Sequence, residues 1–358
     1  MCKEVETILE ILNDVIPYIS GLWTLPWIVI GFVANIAFSN VFGEERMGRI
    51  MKKVGLILLY FFIPILLFRI FLNTHFGGEQ IAFVAVAGLT IFFMYLLAFF
   101  YARHSAKKQC LTESKKNLYL RTVLTNQGRS SAFIGSAMMA YWPTEAGIVM
   151  ALFGIALFAI IPYILSHMYK KESRKTGEEH IHALPWFLKL YPWYLISFVI
   201  AAVLTHEQTG ATTDDFGDIG ILLKFYTTLT IPAALYYVGA SIHPREFRVS
   251  EIRKLSGRET DRKSDLHWTW VRKIFLMTVV ITPVVIAIVL TPLFAIGLIP
   301  SAWFAVIMIN SFLPITSTNM FLLPYGIDKK STAYSVTWTT LICIPIVVLL
   351  IIVFSTLL

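Results

Sequence analysis

Residues 310–326 read NSFLPITSTNMFLLPYG, and residues 121–142 read RTVLTNQGRSSAFIGSAMMAYW. Each stretch lies inside a long apolar run, and each has a polar centre. In the first the centre is Pro314, Thr316, Ser317, Thr318 and Asn319. In the second it is Thr125, Asn126, Gln127, Gly128, Arg129, Ser130 and Ser131. Pro314 cannot donate a backbone hydrogen bond and clashes with the preceding turn, while Gly128 and Gly135 loosen the other stretch without a proline. Unwound backbone in the middle of apolar sequence is tolerated at membrane depth only where protein or water covers it. The two stretches are therefore expected to break and to face each other inside the protein.

The surroundings of these stretches are those of a membrane protein. Of the 358 residues 57% are apolar and 15% charged, and the mean hydropathy is +0.70. A soluble chain carries about a quarter charged residues, so a cytosolic globular enzyme, a disordered tail and a collagen-like fibre are excluded. Three cysteines, Cys2, Cys110 and Cys343, are far apart, which gives neither a disulfide framework nor a metal spacing. A helical span needs about 20 apolar residues. Ten such stretches can be read: 22–42, 52–72, 80–102, 119–141, 147–168, 187–205, 218–242, 270–295, 300–323 and 332–357. Runs such as IFFMYLLAFFY do not alternate, so a β-barrel is rejected. Residues 1–20 carry Glu4, Glu6, Glu10 and Asp14 against Lys3. That is unlike a signal peptide and reads as an amphipathic surface segment.

All of the 30 lysines and arginines except Lys3, Arg69, Arg129, Lys189 and Lys224 fall in the loops after spans 1, 3, 5, 7 and 9. The loops after spans 2, 4, 6 and 8 hold none. By the positive-inside rule the basic side is the cytoplasm, and both termini face outward. The formal net charge of +8 is then a topology signal, and nucleic-acid binding is not needed to explain it.

Pro26 in TLPWIVIGF pairs with Pro192 in LYPWYLISF, and Pro64 in IPILLFRI with Pro232 in IPAALYYV, at nearly the same interval. Five spans repeated, an odd number, must be inverted in the membrane, and inverted repeats place a solute site at the midplane where broken helices meet. The fold expected is an all-α polytopic membrane protein of ten spans, arranged as two inverted five-helix repeats with broken, crossing helices 4 and 9. Residues 1–20 lie outside the cytoplasm, 21–169 form the first repeat, 170–186 a cytoplasmic linker and 187–358 the second repeat.

Arg129 lies about ten residues into span 4, about 15 Å from its cytoplasmic entry and so near the midplane. A cation there costs at least ~2.5–3.5 kcal/mol. All 22 acidic residues can be placed in loops, termini or span ends, leaving Arg129 without a buried carboxylate. It reads either as a receptor for an anion or as a cap on the carbonyls of broken span 9. The Ser, Thr and Asn side chains of the two clusters either meet a solute or join neighbouring helices. Asn35, mid-span in span 1, either lines the cavity or bonds a neighbour. Arg69, Lys189 and Lys224 sit near span ends, where snorkelling to the headgroups explains them. No nucleotide loop, metal cluster or catalytic triad is present, so neither an ATP-driven pump nor a membrane hydrolase is indicated.

The chain beyond residue 20 resembles the auxin efflux carrier family, which includes plant PIN-type carriers and bacterial malate-permease-like proteins. FFIPILLFRI resembles the family's proline-plus-LLF second helix, and IPAALYYVGASI its proline followed by G-A-S-L. LPITSTNMFLLPYG, followed by Pro345 in the last span, resembles P-x-x-x-N-x-F with Tyr-Gly. SSAFIGSA resembles N-T-G-F-L-G-L-P, with Phe133 and Gly135 retained. The family's span-4 Asn falls on Ser130 and its Pro on Ala137, and its span-9 Asn is matched by Asn319, one residue offset. The resemblance implies a bile-acid-symporter-type fold in which spans 1, 2, 6 and 7 form a scaffold, often dimeric through spans 2 and 7. Spans 3–5 and 8–10 would form a moving, elevator-like transport domain. It also favours efflux.

The function expected is secondary transport of a small organic anion, a carboxylate, across the plasma membrane by alternating access, with no enzymatic activity. The alternative is a solute-sensing receptor with a transporter fold. Substrate contacts are expected from Arg129, Ser130, Ser131, Asn126, Gln127, Thr316, Ser317, Thr318, Asn319 and Asn35. Gly128, Gly135 and Pro314 would break the helices. No cofactor or resident metal is expected. The coupling ion, H+ or Na+, is left open, with sodium placed near Asn126, Gln127 and Asn319.

Overall fold

The computed structural model describes residues 11–12, 14–16, 24, 26–130, 138–139, 141–176, 186–240, 242, 253 and 265–357. Most of segment 1–20, the linker centre 177–185, the basic loop 243–264 apart from Arg253, and Ser131 and Gly135 lie outside the described residues. The described chain is helical almost throughout and has no strands. Among the described residues seven helices are long and apolar enough to cross a membrane: Arg46–Leu72, Gly78–Lys108, Pro143–Glu172, Lys189–Thr209, Thr213–Ala240, Leu266–Ala295 and Lys329–Leu357. Two shorter apolar helices, Pro26–Phe42 and Ser301–Phe312, accompany them. With its backbone groups bonded within helices and large apolar side chains such as Val29, Phe92, Trp193 and Ile288 exposed, the chain is built as a helical integral membrane protein.

In chain order the helices are α1 (Pro26–Phe42), α2 (Glu44–Ile57), α3 (Ile63–Leu72), α4 (Gly78–Lys108), α5 (Glu113–Thr125), α6 (Pro143–Ile155), α7 (Ile161–Thr176), α8 (Trp186–Thr209), α9 (Gly217–Ala240), α10 (Asp265–Phe275), α11 (Thr282–Ala295), α12 (Ser301–Phe312) and α13 (Lys329–Leu357). Three pairs run on through a π-turn: α2 to α3 through Leu58–Phe62, α6 to α7 through Ala156–Ile160, and α10 to α11 through Leu276–Ile281. Each π-turn ends two residues before a proline, Pro64, Pro162 or Pro283. A proline removes one backbone donor and its ring presses on the carbonyl four residues back. The wider turn absorbs that clash without ending the helix.

The chain forms two compact units. The first comprises residues 1–84, 132–151 and 193–242. Its centre is the crossing of α1 on α9. A Cβ on Gly31 would lie 2.1 Å from the carbonyl oxygen of Tyr236, and one on Gly239 would lie 1.9 Å from that of Ile28. Only glycine allows backbones to approach so closely. Arg69, expected to snorkel, instead donates to Thr227 Oγ1 (2.7 Å) and to the Lys224 carbonyl (3.2 Å). Lys224 itself pairs with Asp214. Both acceptors belong to α9.

The second unit comprises residues 85–131, 152–192 and 243–358. Its core joins α4, α5, α10 and α13. Ala98, Ala102 and Ala106 recur every four residues along one face of α4, where Tyr119, Trp270 and Val336 pack. Arg121 is not the loop cation that its sequence position suggests. It lies buried within α5, pairs with Glu172 at 2.5 Å and donates from Nε to the Gly326 carbonyl at 2.9 Å. Gly326, with φ 66°, ends the turn after α12 in the left-handed region that favours glycine. His267 meets Asp328 at 2.9 Å nearby.

Candidate functional site: a crossing of two interrupted helices

Both polar stretches interrupt their helices. α5 stops at Thr125, after which Asn126, Gln127 and Gly128 donate backbone bonds to Thr122, Leu124 and Thr125 in a tightening last turn. α12 stops at Phe312. Leu313 is extended (φ −60°, ψ 145°), the conformation that a following proline imposes. A 3-10 helix, Ser317–Tyr325, then continues to Gly326.

Between the breaks the two strands of backbone meet. Arg129 and Ile315 form an antiparallel bridge. Ser130 N donates to the Pro314 carbonyl and Thr316 N to the Gly128 carbonyl, each at 3.0 Å. Backbone freed by the breaks is thus bonded again, as membrane depth requires. Gly128 makes the meeting close, since a Cβ there would lie 2.8 Å from Asn319 Oδ1 and 3.1 Å from Leu157 Cδ1.

Arg129 is only 2% exposed. One of its terminal nitrogens donates to the Leu313 carbonyl at 3.1 Å and the other to the Thr278 carbonyl at 3.4 Å. Its Nε has no hydrogen-bond partner among the described residues. The guanidinium therefore caps the end of α12 while part of its donor fork stays unused. Along the same two stretches, Thr125 Oγ1, Asn126 Oδ1, Gln127 Oε1 and both side-chain polar atoms of Asn319 are buried and without a partner among the described residues. Each such group costs about 1–3 kcal/mol if left unsatisfied, which makes the crossing an expensive arrangement to hold for packing alone.

Of the residues expected at the site, Asn126, Gln127, Arg129, Ser130, Thr316 and Asn319 are buried at the crossing or on its flanks. Thr318 is half-buried, and its hydroxyl lies 2.8 Å from that of Thr316. Ser317 opens the 3-10 helix, but its side chain, like Ser131 and Gly135, is outside the described residues. Asn35 belongs to the first unit, where its Oδ1 accepts from Ser39 Oγ at 3.2 Å. That bond lies within α1 itself, one turn along the same helix.

The chain matches no model of a known protein family and no curated protein sequence.

Several residues of the crossing were not singled out in the sequence. Thr339 Oγ1 accepts from Ile315 N at 3.2 Å, and Thr332 Oγ1 accepts from Asn126 Nδ2 at 3.2 Å. With Ser335 these threonines form a polar stripe along the apolar helix α13, legible from their helical spacing. Thr278 and Thr282, four residues apart in the α10–α11 region, have buried hydroxyls without partners. Chemically the crossing offers one guanidinium, several neutral amide and hydroxyl groups, and no carboxylate in any contact to the guanidinium among the described residues. No group of three His, Cys, Asp or Glu that could hold a metal ion is found among the described residues.

Proposed function

We propose that the protein is a secondary transporter for a small organic anion, a carboxylate, with the crossing as its substrate site. One observation carries the reading: a deeply buried guanidinium whose hydrogen bonds among the described residues go to carbonyls alone, with an Nε that has no partner among them, at the point where two helices are broken. Carbonyl oxygens solvate the cation but do not neutralise it. A carboxylate would do both, through the paired donors that arginine presents in a fixed fork. The neighbouring oxygens and amides of Asn126, Gln127, Ser130 and Asn319 would meet the rest of the solute, or a hard coupling ion such as Na+ held by neutral oxygens.

The ten-span inverted repeat, membership of the auxin efflux carrier family, and a carrier cycle that exposes the crossing first to one side and then to the other belong to the same proposal. Supporting it are the two interruptions at equivalent places in the sequence repeat and the burial of the crossing, which a solute reaches only by a conformational change. The receptor alternative uses the same binding chemistry and differs only in lacking turnover.

The test pairs stability with affinity. Purified protein is screened by thermal shift against mono- and dicarboxylates, since a ligand that binds only the folded state raises the melting temperature with its concentration. For the anion that binds, Arg129→Gln is expected to weaken affinity by about 1.5–3 kcal/mol while the ligand-free melting temperature holds, because the glutamine amide can still donate to Leu313. Arg129→Lys should recover part of the loss. A Gln variant that binds normally removes Arg129 from the site. One that melts early, with binding falling only as the folded fraction falls, reduces Arg129 to its capping role.

A further inference from the structure

Two cavities lie end to end on the second unit, and their linings change character in step. The first, about 300 Å³, is walled by α4, by the run from the end of α6 through its π-turn into α7, and by Leu124 of α5, with Gly88, Phe92, Tyr95 and Ile164 among its lining. Apart from the Tyr95 hydroxyl, which is buried and unpartnered, its walls are hydrocarbon. The second, about 380 Å³, lies further along the same helices and is half polar, with Arg103, Lys116, His167 and Lys171 in its wall. Phe99 lines both. Along α4 the sequence positions 88, 92, 95, 99 and 103 follow one helical face, so a single stripe runs from glycine through apolar side chains to an arginine.

The charges of the polar cavity are not balanced within it. Its two carboxylates are committed: Glu113 to Lys116 at 2.9 Å, and Glu172 to Arg121 at 2.5 Å. Among the described residues Arg103, His167 and Lys171 have no ion-pair partner. This end of α4 and α7 is the end that the distribution of basic residues assigns to the cytoplasm.

We propose that this groove binds one anionic phospholipid, its phosphate between Arg103 and Lys171 and an acyl chain in the apolar cavity beside Gly88. Basic pockets between spanning helices on the cytoplasmic side are where anionic headgroups are attracted, each lysine or arginine adding about 1 kcal/mol. A free phosphate would fill only the polar cavity, and a neutral lipid would leave its cations unanswered. A ligand with an anionic head joined to an apolar chain answers both. The headgroup end of the site, at Arg103 and Lys171, shares no lining residue with the crossing, and the proposal rests on α4 and α7 spanning the membrane.

The full chain in neutral detergent is titrated with fluorescent phosphatidylglycerol, with phosphatidylcholine and glycerol 3-phosphate as competitors. Phosphatidylglycerol should bind at least tenfold more tightly than phosphatidylcholine. Arg103→Gln and Lys171→Gln should each weaken it about fivefold, and the pair about 25-fold. Gly88→Phe is the chain-filling variant. A Cβ at Gly88 meets nothing within 4 Å, and the ring is directed at the cavity volume; with the melting temperature of the variant checked alongside, phosphatidylglycerol affinity should drop tenfold or more. Equal binding of the two lipids, or an unaffected double variant, overturns the site, as simple snorkelling of Arg103 and Lys171 would predict. Displacement by glycerol 3-phosphate as effective as by the lipid makes it a free-phosphate site. Full affinity in Gly88→Phe removes the acyl chain from the cavity.

Discussion

Arg129 is bound twice and still incompletely satisfied. Its position in sequence, ten residues into a span, was enough to mark it as costly, and the shortage of buried acids was enough to suggest an anion. What the sequence could not give was the identity of its resting partners, because the Leu313 and Thr278 carbonyls belong to backbone far along the chain. The Leu313 contact is the one that a cap on broken span 9 would make; the anion receptor is the use proposed above. Gly128 is the residue beside it on which the geometry is tightest. In Gly128→Ala the added methyl must push Asn319 and Leu157 aside. Overpacking of this kind costs about 1–3 kcal/mol. A lower melting temperature of the ligand-free protein and weaker anion binding are expected together. An alanine variant as stable as the parent would show that Asn319 has room to move.

At the scale of elements, most helices were legible because apolar length alone marks them. The ends and the interruptions were less so. The span expected at 119–141 is helical only over Glu113–Thr125 within the described residues, and the one expected at 300–323 is α12 followed by a 3-10 helix. Pro314 and the polar run around Asn126 did announce both breaks. The π-turns did not announce themselves, since Pro192, Pro232, Pro292 and Pro345 sit inside α8, α9, α11 and α13 as ordinary helical prolines. A proline constrains the turn before it, but packing decides how the constraint is absorbed. Arg121 was misplaced for a related reason: α5 starts at Glu113, earlier than hydropathy suggests, because Lys115, Lys116 and Asn117 carry helix without being apolar. The break at Pro314 makes its own prediction. Pro314→Ala frees Leu313 to become helical and competes with the bridge of Ser130 to Pro314 and Thr316 to Gly128. Folded protein with anion transport reduced tenfold or more is expected. Unchanged transport would mean that the two bridging bonds hold the break without the proline.

The orientation proposed for the whole molecule rests on its basic loops, and it is measurable with a residue already present. Cys110 is exposed between α4 and α5, while Cys343 is buried. In a Cys2→Ser background, an impermeant maleimide should label Cys110 only from the cytoplasmic side, and an added Thr212→Cys only from the outside. Labelling of both from one side would contradict the alternation on which the span count rests. Beyond topology, the crossing at Arg129 is proposed to pass an anion from one side of the membrane to the other. The direct measurement is uptake of the radiolabelled carboxylate identified by thermal shift into proteoliposomes. The account predicts uptake that grows with time well beyond the amount of protein present, saturates with substrate, is accelerated by unlabelled substrate inside, and fails in Arg129→Gln. Binding that stops at one anion per protein and never accumulates would contradict it and leave the receptor in place of the carrier.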